Sequence, residues 1–112
     1  MGLVHIFGDS TIMRIIDFLD IYPYWDYSKT EIAKYSKVSK AALYAAWPML
    51  EKNGIVKETR RIGRAVMYKF NRENKIAQML EKMALETDLQ ALDEARKEHE
   101  AQKHKIPARA RG

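Results

Sequence analysis

Helical periodicity gives way, between Ser28 and Asn71, to a basic, glycine-containing hairpin. That order predicts an α+β, mainly α, chain: a winged helix-turn-helix with a two-stranded wing and a C-terminal helical dimerisation region. Charge supports it. Residues 28–75 hold twelve basic and four acidic side chains, a balance of +8, whereas residues 1–27 stand at −3 and residues 76–112 at zero. Positive charge therefore gathers in the segment that reads as a DNA-binding module, where neutralised phosphates supply non-specific affinity. The expected organisation is a DNA-binding domain over residues 1–73, a helical dimerisation region over 74–104, and a disordered basic tail over 105–112.

The elements follow from local chemistry. Ser10 is an N-cap, and Ile12, Ile15, Ile16, Phe18 and Leu19 mark the apolar face of a helix that Pro23 ends near Tyr22. The loop Pro23-Tyr24-Trp25-Asp26-Tyr27 is aromatic, and its rings are expected to seal the space between helices. Ser28-x-x-Glu31 is a capping box that opens a short helix to Tyr35, buried through Ile32 and Ala33. After a turn at Ser36-Lys37-Val38, Ser39 caps the reading helix, whose Leu43, Trp47 and Leu50 face the core. Asn53-Gly54 stops it. Pro48 removes the donor for the Tyr44 carbonyl, so a bend or tightened turn is expected near Trp47, with a full stop there as the alternative.

Beyond Gly54 the period changes to two. Val66, Tyr68 and Phe70 alternate with Ala65, Met67 and Lys69, and Ile55 to about Arg60 supplies the partner strand. Arg61-Ile62-Gly63-Arg64 connects them as the wing. From about Asn74 to Lys103 the pattern is helical again, with Ile76, Met79, Leu80 and Met83 on one side and Leu85, Leu89 and Leu92 nearly opposite. One face is expected on its own domain and the leucines against a second copy. Thr87-x-x-Gln90 is a further capping-box pattern that marks a possible break, leaving one helix or two open.

Several function classes are poorly served. The chain has no cysteine, which excludes disulfides and thiolate ligands and suits a reducing, cytoplasmic setting. No long apolar run suggests a membrane span or a leader. His5, His99 and His104 are isolated, so no metal site, cofactor or enzymatic activity is expected.

The candidate DNA-binding residues are Lys29, Lys37, Ser39, Lys40, Ala41, Ala42, Tyr44, Arg60, Arg61 and Arg64. Lys40 can reach a guanine edge or a phosphate, Ser39 a phosphate or base, Tyr44 a phosphate, and an alanine methyl can meet thymine. No Arg, Asn or Gln lies between Ser39 and Ala46, so base readout rests on few groups and on DNA shape. Arg60, Arg61 and Arg64 surround the wing tip, where arginine tracks phosphate or enters a narrow minor groove.

The stretches FGDSTIMRIIDFLD, SKTEIAKYSKVSKAALY, WPMLEKNGIVKETRRIGRAVMYKFN and NKIAQMLEKM resemble the small winged helix-turn-helix transcriptional regulators common in archaea, broadly similar to the MarR and ArsR groups. The resemblance covers roughly residues 6–85 and is most specific from Leu50 to Asn71. It implies a dimeric DNA-binding repressor or activator. That family often carries arginine or another polar reader where this chain has Ala45, which moves weight onto Lys40 and the wing. The expected function is therefore a sequence-specific regulator of double-stranded DNA acting as a homodimer away from membranes. The alternatives are an architectural DNA-binding protein of low specificity and a winged-helix protein-interaction module.

Overall fold

Three serines start the three helices that enclose the core. Ser10 Oγ accepts from Met13 N at 3.2 Å and opens α2 (Thr11–Ile21). Ser28 and Glu31 form both arms of the capping box, 3.2 and 2.9 Å, and open α3 (Lys29–Ser36). Ser39 Oγ accepts from Ala42 N at 3.0 Å and opens α4 (Lys40–Lys52). Each hydroxyl satisfies a donor that the first turn leaves free. The computed structural model describes residues 2–111, with side chains described as far as Ala101.

A short α1 (Leu3–Phe7), which the sequence reading left out, precedes these helices. The Asp17 carboxylate on α2 accepts from the backbone N–H groups of Leu3 and Val4 at 2.8 and 3.1 Å, so a distant side chain caps it. A second addition is β1 (Tyr27–Ser28). It pairs antiparallel with β3 (Ala65–Phe70), which pairs in turn with β2 (Val56–Ile62), and the sheet order is β1-β3-β2. The wing is the two-stranded β2–β3 ribbon, with β1 sewing it to the helices.

The core gathers Leu3, Ile15, Ile16, Leu19, Ile32, Leu43, Trp47, Leu50 and Phe70, the inward faces of α1, α2, α3, α4 and β3. α4 runs through Pro48 to Lys52, so the full stop at Trp47 is not what the chain does. The aromatic loop departs from expectation. Tyr27 packs on Phe18 and Tyr35 with ring centroids 5.0 and 6.1 Å apart. Tyr24 and Trp25, by contrast, are 76% and 69% exposed, and Tyr24 faces the Arg72 guanidinium, 5.4 Å from its ring centroid, rather than the core.

The C-terminal region is one helix, α5 (Lys75–Arg111). Its docking face differs from the stripe read in the sequence. Ala77, Ala84 and Thr87 are buried and Leu80 is half-buried, whereas Ile76, Met79 and Met83 are exposed. Small residues let the α5 backbone approach closely, which pushes the larger ones onto the flanks. Thr87 opens no second helix: its hydroxyl donates to the Met83 carbonyl one turn back, at 2.7 Å. Leu85, Leu89 and Leu92 are exposed in the single chain. The expected tail, residues 105–112, falls on side chains outside the described residues.

Candidate nucleic-acid interface

The N-terminal half of α4 stands clear of the protein. With Leu43, Trp47 and Leu50 turned inward, Lys40, Ala41, Tyr44 and Ala45 are exposed and Ala42 is half-buried. Ser39 spends one lone pair on its cap and keeps its hydroxyl proton to donate outward. The turn before it is held by Lys37, which adopts the left-handed conformation at φ 61°, ψ 43°. The Lys37 carbonyl accepts from Arg14 Nη1 at 2.9 Å, and the same guanidinium is paired with Asp9. The Lys37 side chain thus remains exposed beside Ser39.

The wing separates its three arginines. Gly63, at φ +61°, is the first residue of a two-residue turn with Arg64, a position where a hairpin needs positive φ. Arg61 pairs across the ribbon with Val66, and Arg60 with Met67, so by strand alternation they face opposite sides. A bulge between Glu58 and Arg60 inserts Thr59. Thr59 Oγ1 then donates to Asp26 Oδ2 at 2.6 Å, and Arg60 binds the same carboxylate through Nε and Nη2 at 2.8 and 3.1 Å. These donors hold the Asp26 carboxyl down at about 2, with Arg60 the larger cause. Arg60 therefore anchors the base of the wing to the loop before β1. Arg61 makes an exposed 3.3 Å pair with Glu58.

Arg64 joins Lys29 and Tyr44 around an open cleft of about 310 Å³, floored by Val66 and Tyr68. The Lys29 ammonium sits 5.3 Å from the Tyr44 ring centroid and 5.5 Å from those of Trp47 and Tyr68. Trp47 and Tyr68 meet edge to face at 4.9 Å, so the cage is itself packed. Cation–π attraction from three rings holds this lysine where α3, α4 and β3 converge. The structure thus brings together Lys29, Tyr44 and Arg64 at the cleft, sets Lys37, Ser39, Lys40, Ala41 and Ala42 along the turn and first turns of α4, and draws Arg60 away to Asp26. Sequence reading missed Asp26, a single acid 34 positions from Arg60 with no local signature.

A carboxylate group lies apart from this face. Burial, followed by the charges of Glu81, Asp17 and Asp88, raises the Asp20 carboxyl to about 6, with Arg72 opposing. Among the described residues no group of three or more His, Asp or Glu side chains comes together to hold a metal ion. No helix among them is long and apolar enough to cross a membrane.

No protein-family model matches the chain, and no curated protein matches it in sequence. Solved structures do match in fold. The zinc-responsive MarR family member ZitR of Lactococcus lactis is similar at TM-score 0.54 and 22% identity, over 73% of this chain and 58% of ZitR, so the chain spans under two thirds of that protein. The adhesin competence repressor AdcR of Streptococcus pyogenes is similar at TM-score 0.60 and 16% identity, over 85% of this chain and 69% of AdcR. ZitR in complex with DNA gives TM-score 0.55 at 17% identity, over 96% and 80%. The fold is that of these MarR-type winged helices: mainly helical, with a small antiparallel sheet and a long C-terminal helix.

Proposed function

We propose that the chain is a sequence-specific, duplex-DNA-binding transcriptional regulator that acts as a cytoplasmic homodimer, with α4 in the major groove and the wing on backbone or minor groove. One observation carries the reading. Lys29, Tyr44 and Arg64 surround a single open cleft beside the exposed N-terminal turns of α4, within the segment of charge +8. A phosphate in that cleft would meet a lysine already held in place together with an arginine, while Lys40, Ala41 and Ala45 are exposed along the adjoining turns of α4. The ZitR–DNA complex shows that a similar fold engages DNA in another protein. The second copy is supported by Leu85, Leu89 and Leu92, which are 58%, 51% and 67% exposed along α5.

Salt dependence tests the reading. Log affinity is expected to fall with log salt at about 0.9 per phosphate neutralised, giving a steep slope for a dimer. A flat response, or no binding at low salt, overturns it. A second reading, architectural binding of low specificity, draws support from the alanine-rich surface of α4. Footprinting separates the two: a regulator protects a bounded site, and an architectural protein coats the duplex without an edge. Binding that survives neutralising Arg61 and Arg64 would instead favour a protein-interaction module.

A further inference from the structure

Asn74 finishes one helix and starts another. Its Oδ1 accepts from Ala77 N at 2.9 Å and so caps the N-terminus of α5. Its Nδ2 donates to the Asn53 carbonyl at 3.1 Å, at the C-terminal end of α4, where carbonyls lack partners within the helix. Asn71 closes the loop between them. Its backbone N–H donates to the Ile55 carbonyl at 2.8 Å and its Nδ2 to the Gly54 carbonyl at 3.0 Å, while Asn74 N donates back to the Asn71 carbonyl at 3.1 Å. Gly54 makes room for this knot. It sits at φ +67°, and a Cβ there would lie 2.6 Å from Asn74 Nδ2. Elsewhere α5 packs on α1 and joins the shared core through Ala77, Leu80 and Ala84. That core packing seats α5, and the Asn74 amide is the side chain that ties its first turn directly to the end of α4.

We propose that Asn74 is a positioning residue for DNA recognition: it fixes the attitude of the reading helix α4 relative to α5. The joint belongs to a single chain, but its consequence rests on the dimeric DNA-binding reading above. If two chains meet along α5, the separation and tilt of the two α4 helices are set by the angle at each joint. A stiff joint arranges both helices before the duplex arrives, and a loose one must lose that freedom on binding. The cost of loosening is bounded by the hydrogen bond that held the joint.

Asn74→Asp tests this, because aspartate still accepts from Ala77 N yet has no donor for the Asn53 carbonyl. The chain lacks cysteine, so spin labels placed through Met49→Cys on α4 and Glu94→Cys on α5 are unique. The expected result is a broadened α4–α5 distance distribution in Asn74→Asp at unchanged helix content, with the thermal midpoint lowered by no more than about 4–8 °C, the loss of one hydrogen bond. Asn74→Ser, whose hydroxyl caps but cannot span the gap, should behave alike. On a duplex selected from a random pool by the parent chain, Asn74→Asp should lose about three- to tenfold in affinity, the worth of one hydrogen bond. On random-sequence duplex it should match the parent. A distribution as narrow as the parent's overturns the joint. A broadened distribution with no change on the selected duplex, or with equal loss on both duplexes, overturns its role in recognition. A monomeric parent, or a pool that yields no preferred duplex, overturns the dimeric, sequence-specific reading while the distance measurement still decides the joint.

Discussion

Arg60 and Arg64 stand four residues apart in the sequence and end in different chemical company. The first is held by Asp26; the second lies at the cleft with Lys29. Their difference is set by a bulge at Thr59 that no composition rule announces, and by a carboxylate from the far side of the sheet. Three arginines near a glycine turn were legible as a wing; which of them stay available was not. Arg64→Ala is expected to weaken binding to most duplexes alike and to reduce the salt slope by about 1. Arg60→Ala should leave that slope nearly unchanged. Lys40→Ala should cost ~1–3 kcal/mol on the preferred duplex and less on random sequence, if its ammonium meets a base edge. Competition between preferred and random duplexes checks all three, and equal losses for Lys40→Ala would reassign it to a phosphate. The Asp26–Arg60 pair also has a definite pH sign. Its carboxyl is depressed from 3.8 to about 2, so its stabilisation is present above the ordinary carboxylate range and is lost as pH falls through about 2.

Helix starts were readable because capping is local: Ser10, Ser28 and Ser39 each lie three residues before the N–H they satisfy. The docking face of α5 was not readable, because alanine at 77 and 84 carries no hydrophobic emphasis while Met79 and Met83 do. Burial there follows closeness of approach rather than side-chain size, and α1, too short to show a periodic pattern, supplies much of the surface that α5 meets. The junction also brings like charges together, Asp17 and Asp20 from α2 facing Glu81 and Asp88 from α5. Asp17 accepts from the Leu3 and Val4 N–H groups of α1, Asp88 from the Gly2 N–H just before it, and Glu81 from Arg72 at 3.2 Å. Asp20 is the member whose carboxyl rises, from 3.8 to about 6. A raised carboxyl binds its proton more tightly in the folded chain. Its penalty is therefore absent below about pH 4, accrues as pH rises, and is complete above about 6. Asp20→Asn is expected to stabilise the chain at pH 7.5 by about 1 kcal/mol, discounted for the site's partial exposure. It should also flatten the pH dependence of thermal unfolding between pH 4 and 7. A variant that unfolds at a lower temperature than its parent at pH 7.5 would show that Asp20 has a partner at this junction.

At the scale of the whole molecule, extents of 68 × 27 × 22 Å describe a small domain with a rod attached. The 37 residues of α5 make a helix of about 55 Å, far longer than the domain needs for its own cover. Among the described residues it docks through Ala77, Leu80, Ala84 and Thr87. Away from that face Leu85, Leu89 and Leu92 form an apolar line that is exposed in the single chain. Left in water, each forgoes ~1.5–3 kcal/mol of burial. A two-fold axis through this line would cover both copies with one self-complementary surface and set the two α4 helices for half-sites about 34–36 Å apart. The parent chain is thus expected to sediment as a dimer at micromolar concentration. The double variant Leu89→Glu, Leu92→Glu should sediment as a folded monomer, since neither side chain belongs to the domain core. Its affinity for random duplex at low salt should fall little per protomer, because phosphate contacts are local to each wing and α4, while its preference for a two-half-site duplex should vanish. A variant that stays dimeric would place the interface on the exposed Ile76, Met79 and Met83 flank of α5 instead, and the same charge substitutions at Met79 and Met83 would then be the ones to separate the copies.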